Sequence, residues 1–313
     1  MRVIFEPINN GLNIIRNTAI GLGNFDGVHI GHARLINTLV EESQRRGLVS
    51  TVYTFSKHPE NFLRKTLFTP QITTTKKKIE LMDQFNVDYL YFAKFDEKFS
   101  RMQPEEFVKR ILVDILRIKL AVVGYDYRFG FEGVGDVSLL ENFGQKYNFE
   151  VIIVPPVYLD NEVVSSTSVR KLLSHGYVDK VSIILGRPYS IQGLVVHGRS
   201  LGAKIGFPTA NIVPEKYLII PRTGVYYTQT YVSGKYYESL TNIGKNPTFK
   251  LKKISVETYI IDFDEDIYSE TIEIFFHERI RAEKKFDNLE ELIKQIQKDV
   301  DLVKAINNRY IKY

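Results

Sequence analysis

Between Thr18 and Pro155 the chain alternates short apolar runs with helically spaced segments, and this rhythm restricts the fold more than any other feature. Thr18 to Phe25, Val49 to Phe55, Val87 to Phe92, Leu120 to Gly124 and Phe149 to Pro155 read as strands. Ala33 to Arg46, Lys76 to Phe85, Pro104 to Leu116 and Ser138 to Tyr147 read as helices. Strands separated by helices connect through right-handed crossovers, which gives a parallel sheet with helices on both faces. Such a sheet takes ligands at the carboxyl ends of its strands. After Gly186-Arg187-Pro188 the rhythm changes. Ser190 to His197, Gly224 to Val232, Tyr236 to Ile243, Ser255 to Phe263 and Thr271 to Glu278 follow one another as strands, with Ser233-Gly234 and Asp264-Glu265-Asp266 as turns. A small antiparallel barrel or sandwich is expected. Asn288 to Asn307 closes it as a helix, with Asp287 and Glu290 spaced as a capping box. The expectation is α/β followed by β, in two domains, 1–185 and 186–313.

The 313 residues suit two domains, each able to bury a core at 44% apolar content. Absence of cysteine excludes disulfides, thiolate metal sites and a cysteine nucleophile. No basic segment leads into an apolar one at the start, and no run reaches the roughly 18 apolar residues of a membrane span. A cytoplasmic protein is expected. The net charge of +5 suits anionic ligands but is small enough to serve solubility alone. Its densest run, Lys76 to Lys78, reads as the solvated start of a helix.

The chemistry concentrates in GLGNFDGVHIGHARLI, Gly21 to Ile36. A strand, a glycine-bearing turn and a helix leave free N–H groups at the positive end of the helix dipole, where anions bind. His29 and His32 share a face of the first helical turn, and Gly31 allows a phosphate close to the backbone. Imidazole donors there would stabilise charge building at phosphorus. Two histidines merely capping a helix are the plain alternative, made less attractive here by Gly23, Asn24, Asp26 and Gly27. A catalytic zinc site wants three protein ligands, and no third is suggested nearby.

GNFDGVHIGH resembles the first motif of the prokaryotic bifunctional riboflavin kinase/FMN adenylyltransferase family, also called FAD synthetase. TFSKHP (54–59), VGYDYRFG (123–130) and VSSTSVRKLL (164–173) resemble further motifs of that family in the same order. So do GFPTANI (206–212), TGVYY (223–227), NIGKNPTF (242–249), VETYIIDFDEDIY (256–268) and IRAEKKFDNLEEL (280–292). The resemblance implies a Rossmann-like nucleotidyltransferase domain that joins FMN to AMP from ATP, releasing pyrophosphate, and a barrel domain that phosphorylates riboflavin to FMN. For adenylyl transfer it implies His29, His32 and Arg170 in catalysis, and Gly23, Asn24, Phe25, Asp26, Gly31, Ser166 and Thr167 at ATP, with SSTSVR as a mobile loop. His58 and Asp126 would face the flavin. For the kinase it implies Glu257 as base, with Gly193, Gly198, Lys204, Phe207, Pro208, Thr209 and Asn211 at ATP, and Arg281, Glu283 and Phe286 at the flavin. Thr209 and Asn211 would also hold magnesium. Small-molecule substrates alone are expected, with neither nucleic acid nor membrane, on a monomer or weak homo-oligomer.

The two reactions make different demands. The phosphate of FMN is already an anion, so adenylyl transfer needs positioning and charge stabilisation, and a guanidinium such as that of Arg170 matches phosphate oxygens two at a time. The ribityl hydroxyl has a pKa near that of water, about 15.7, and needs a carboxylate to take its proton. Some residues depart from the family's pattern: Glu132 and Val134 stand where basic residues are usual, Tyr259 where histidine is common, Ser269 where glycine is common, and Ser56-Lys57 inside TFSKHP. Two rival readings differ in class. One is a single-activity nucleotidylyltransferase with a non-catalytic flavin-binding second domain. The other is an RNA-binding protein stacking bases on its aromatic strands.

Overall fold

The computed structural model describes residues 1–6, 17–57, 59–63, 68–198, 201–246 and 253–310. His58 lies outside the described residues, as do 247–249 of the NIGKNPTF motif. The chain divides into two compact units, Met1–Ser166 and Thr167–Tyr313.

The first unit is built on a parallel sheet of six strands: β1 (Arg2–Phe5), β2 (Thr18–Leu22), β3 (Val49–Phe55), β4 (Tyr89–Ala93), β5 (Ile118–Gly124) and β6 (Glu150–Val154). Their order is β1-β4-β3-β2-β5-β6, and each neighbouring pair is parallel. Both faces are apolar, as a sheet covered on both sides requires. Ala19, Val52, Leu90 and Val122 pack with Leu35, Ile36 and Leu39 of α1 (Ile30–Arg46) and with Leu81 and Met82 of α2 (Thr75–Asp83). Ile20, Tyr53, Tyr91 and Val123 face the other way, toward Phe107, Val108, Ile111 and Leu112 and toward Leu140 of α3 (Val137–Tyr147). Strand order reverses at β2, with β3 on one side and β5 on the other, so the crevice for a ligand opens at the carboxyl end of β2.

Three local expectations are corrected here. β2 ends at Leu22, because the chain turns at Gly23 to Gly27. The helix expected at Pro104 to Leu116 is α-helical only over Pro104–Glu106 and π-helical over Phe107–Ile115. The wider π turn brings Phe107, Ile111, Leu112 and Leu116 to one buried face. Lys78 is not solvated: it is only 3% exposed. A two-stranded hairpin, β7 (Tyr158–Leu159) and β8 (Glu162–Val163), completes the unit.

The second unit carries α4 (Ser166–His175) from Thr167 onward, α5 (Val178–Leu185) and a closed barrel. Its strands are β9 (Tyr189–Val196), β10 (Ala210–Pro214), β11 (Gly224–Val232), β12 (Lys235–Asn246), β13 (Lys253–Ile260) and β14 (Thr271–Arg281). They close in the ring β10-β13-β12-β11-β14-β9, antiparallel throughout, which leaves no open edge. β10 was not legible as a strand. Alternation sends Tyr226, Thr228 and Thr230 inward and Val225 and Tyr227 outward, against Val300 and Val303 of α6 (Leu289–Tyr310). The interior holds a chain of buried hydroxyls, Thr230–Ser239–Thr228–Thr241–Thr258, each within 3.0 Å of the next. Each hydroxyl finds a partner, as burial of a polar group demands. α6 is capped by Asn288, which accepts from the Glu291 N–H at 2.9 Å while its own amide reaches Glu291 Oε1 at 3.3 Å. The N-cap therefore sits one residue later than the Asp287 and Glu290 reading.

Candidate functional site

At the carboxyl end of β2 the turn Gly23 to His29 carries three residues with positive φ, Phe25 (49°), Gly27 (86°) and Val28 (41°). A β-branched residue rarely adopts that conformation, so the surroundings must hold the turn. Asp26 does so: its carboxylate accepts from the N–H of Ile72 at 3.0 Å and of Thr73 at 3.2 Å. Gly27 N–H donates to Thr73 Oγ1 at 3.1 Å, and Ser166 Oγ donates to the Asp26 carbonyl at 2.8 Å. The Asp26 side chain thus anchors the turn. Gly23 continues the sheet by donating to the Tyr53 carbonyl at 3.3 Å.

His29 is the N-cap of α1. Its Nδ1 accepts from the His32 N–H at 3.2 Å, which leaves the ring proton of the neutral imidazole on Nε2. The two imidazoles stack at 3.6 Å and 17°, and His32 meets the Phe25 ring edge-on at 5.2 Å. Gly31 has a packing reason to be glycine besides the close phosphate approach expected from sequence. A Cβ there would stand 3.2 Å from both Cε1 and Nδ1 of His29, so the residue makes room for the ring. The result is a buried Nε2–H donor fixed at a helix N-terminus.

Beneath the turn lies Lys78 of α2, a residue that sequence reasoning passed over. Its Nζ donates to the carbonyls of Asn24 (2.8 Å) and Phe55 (3.0 Å), and burial lowers its pKa to about 8 against the pull of Asp26. Asp126 is exposed just beyond β5, and Thr167 and Arg170 lie on α4, in the second unit. Phe55, Phe95, Phe99 and Phe107 pack edge to face beside the carboxyl ends of β3 and β4, with the half-exposed Phe62 against Phe95. No motif had singled out these aromatics.

In the barrel, two cavities flank one residue. A cavity of about 320 Å³ is lined by Phe207, Thr209, Glu257, Arg281, Glu283 and Phe286, six of the residues singled out in the sequence. A second of about 260 Å³ is lined by Pro208, Thr209, Thr258 and the segment Phe263 to Tyr268. Thr209 borders both. Antiparallel register sets Glu257 directly opposite Asn211 on β10 and Asn242 on β12, so all three side chains share one face. Asn242 also lines the larger cavity and was not assigned from sequence. The Asn211 amide occupies the space a Cβ would need at Gly198, which explains that glycine. Gly193 lies on β9 opposite Pro214, and Lys204 is exposed on the short helix Leu201–Lys204.

Arg281 is held by α6. Its Nε and Nη2 both reach Asp299 Oδ2, at 2.9 and 2.8 Å, while Gln295 bonds Asp299 Oδ1 at 2.9 Å. The guanidinium then lies 5.9 Å from the Phe286 ring centre, with Lys284 at 5.5 Å. Lys284 lies inside the IRAEKKFDNLEEL motif without having been named for a role, and Asp299 carried no sequence signal beyond a helical phase.

These features define a two-unit phosphoryl-transfer enzyme, a parallel-sheet nucleotidyltransferase joined to a barrel with a carboxylate in one of two cavities that share Thr209. The FAD synthetase family matches residues 12–168, and the riboflavin kinase family matches residues 185–307. The bifunctional riboflavin kinase/FMN adenylyltransferase of Buchnera aphidicola from Acyrthosiphon pisum is 36% identical over 308 residues, covering 97% of this chain and 98% of its own. That of Bacillus subtilis is 35% identical, covering 90% of each. The chain belongs to the bifunctional riboflavin kinase/FMN adenylyltransferase family. A crystal structure of a protein named as a macrolide-efflux protein from Streptococcus pneumoniae shares the whole fold, with a TM-score of 0.88, 30% identity, and coverage of 97% of this chain and 99% of that one. Among the described residues of this chain no helix is long and apolar enough to cross a membrane.

Proposed function

We propose that the adenylyltransferase occupies residues 1–185 and the kinase residues 186–313, and that the two reactions of the family divide between them as follows. Riboflavin is phosphorylated by ATP to FMN in the barrel. FMN is adenylylated by a second ATP to FAD, with release of pyrophosphate, at the turn Gly23 to His32.

In the first reaction the ribityl hydroxyl attacks the γ-phosphorus of ATP. Its proton passes to Glu257, the new P–O bond forms, and the bond to the ADP oxygen breaks. The observation that carries this reading is Thr209, shared by the two cavities, with Glu257 in the larger one. An alcohol in one cavity and a triphosphate in the other would meet beside it. Arg281, Glu283 and Phe286 form the wall against which a flavin ring fits, and Phe207, Pro208, Gly198, Gly193 and Lys204 serve the nucleotide.

Thr209, Asn211 and Glu257 supply hydroxyl, amide and carboxylate oxygens, a donor set that suits magnesium, a hard cation that keeps several waters and shares phosphate oxygens. The two neutral side chains, Thr209 and Asn211, would hold it. When bound it supplies charge compensation for the ATP phosphates.

In the second reaction an FMN phosphate oxygen attacks the α-phosphorus of ATP, and the bond to pyrophosphate breaks. No base is needed, since the nucleophile is already ionised. The His29 Nε2–H, the N-terminus of α1 and the N–H groups of the turn hold the charge that spreads over the phosphate oxygens. His32 backs His29 by stacking. Ser166, Thr167 and Arg170 serve ATP, and Asp126 and His58 serve the flavin end. We also place the enzyme in the cytoplasm, as a monomer or weak homo-oligomer acting on small molecules without nucleic acid or membrane.

The test is incubation with riboflavin, ATP and magnesium, followed by chromatographic separation of the flavins. His29→Ala is expected to accumulate FMN and fail to make FAD. Glu257→Ala is expected to make FAD from added FMN but no FMN from riboflavin. Loss of both steps from either substitution in a folded chain refutes the division of labour.

A further inference from the structure

The β2–β3 ladder of the first unit ends one rung before its geometry requires. The strands pair from Thr18 opposite Val49 to Leu22 opposite Tyr53, and the Gly23 N–H still reaches the Tyr53 carbonyl. Donors in a parallel pair recur at every second residue, so the next rung would run from the Phe25 N–H to the Phe55 carbonyl. Lys78 Nζ holds that carbonyl instead, at 3.0 Å, and donates to the Asn24 carbonyl at 2.8 Å. Thr54 Oγ1 donates to the same Asn24 carbonyl, also at 2.8 Å.

The consequence follows from peptide planarity. In a trans peptide the C=O and N–H point in opposite directions. With the Asn24 carbonyl fixed on the Lys78 side, the Phe25 N–H faces away from it. Among the described residues that N–H meets no acceptor. The residue it belongs to sits at φ 49°, a conformation that a charged and a neutral donor on the preceding carbonyl help to maintain.

We propose that Lys78 is a positioning residue for adenylyl transfer: its ammonium ends the β2–β3 ladder after Gly23 and pins the Asn24–Phe25 peptide, so that the Phe25 N–H is held toward a substrate phosphate oxygen. This rests on the reading of the first unit as the adenylyltransferase. The buried ammonium also adds positive potential beside the Asn24–Phe25 peptide. The nearby Asp26 carboxylate is already occupied by the N–H groups of Ile72 and Thr73.

The experiment measures ATP and FMN KM separately for FAD formation by Lys78→Met and Thr54→Val in the full chain, with riboflavin phosphorylation as the internal control. Lys78→Met is expected to raise at least one of the two KM values tenfold or more while FMN formation stays within twofold of wild type. A rise in the ATP value alone assigns the N–H to ATP; a rise in the FMN value alone assigns it to FMN. Both values within twofold of wild type overturn the proposal, as does a loss confined to kcat. Should Lys78→Met fail to fold, Thr54→Val decides. It removes one donor from the same carbonyl, and a threefold rise in KM at unchanged melting temperature upholds the proposal, whereas an unchanged KM overturns it. A wild-type chain that makes no FAD from FMN refutes the assignment of the unit itself, apart from any role of Lys78.

Discussion

Gly31→Ala separates stability from catalysis at the nucleotidyl site. The new Cβ would lie 3.2 Å from two atoms of the His29 ring. That ring cannot retreat freely, because His32 stacks on it at 3.6 Å and its Nδ1 is held by the His32 N–H. Either the ring shifts by a few tenths of an ångström or the first turn of α1 opens. Loss of the cap costs about 1 kcal/mol. Weakening the ring pair costs about another 1 kcal/mol. Replacing glycine by alanine within a helix returns up to about 1 kcal/mol. The net loss is about 1 kcal/mol, equivalent to a fall of about 2–4 °C in the melting temperature of a unit this size. Catalysis suffers more, because an ångström of misplacement at a reacting centre can cost about 100-fold. FAD formation from FMN should fall about 10- to 100-fold while riboflavin phosphorylation is unchanged. Scanning calorimetry and a flavin chromatography assay on one preparation give both numbers. A lower melting temperature with FAD formation within twofold of wild type would show that the His29 ring position does not matter.

Glu257→Gln keeps the strand pairing and the hydrogen-bonding shape but removes the proposed proton acceptor. The kcat for riboflavin phosphorylation should fall about 10²- to 10⁴-fold with riboflavin KM little changed, measured by initial rates of FMN formation. Asp299→Ala releases the Arg281 guanidinium from α6 and should raise riboflavin KM about tenfold, a shift that fluorescence titration of riboflavin would register. For pH, Lys78 has a folded pKa of about 8, below the ordinary lysine value of about 10.4. Between those values the unfolded chain binds more protons, so stability of the first unit should rise from about pH 8 to about pH 10 and decline on returning through pH 8. FAD formation should move oppositely, falling above about pH 8 as the ammonium loses its proton. Parallel melting and rate profiles check both directions.

The sheet, the barrel and most strand limits were legible because period-two and period-3.6 patterns survive in both units. β3 and β11 occupy the very residues the pattern assigns. Lys78 was hidden because three consecutive lysines look alike. Only the phase of α2 over the sheet decides which one turns inward, and the carbonyls that satisfy it come from residues 24 and 55. β10 was missed because Pro208 and the polar PTAN read as a turn, while its pairing with β9 and β13 is non-local. The packing of the His29 ring against Gly31 was hidden for a similar reason: spacing shows that two groups are close, not which of them fills the gap. The capping residue of α6 was off by one, since Asp287 and Asn288 are equally suited and the helix phase chooses between them.

Thr209 forms part of the wall of two chambers at once. With the flavin in one chamber and the nucleotide in the other, as proposed, a single molecule that tethers an isoalloxazine to an adenosine through a short anionic bridge would pass that one hydroxyl. On that placement the anionic bridge of a two-headed inhibitor of the kinase step is the part that would lie against Thr209.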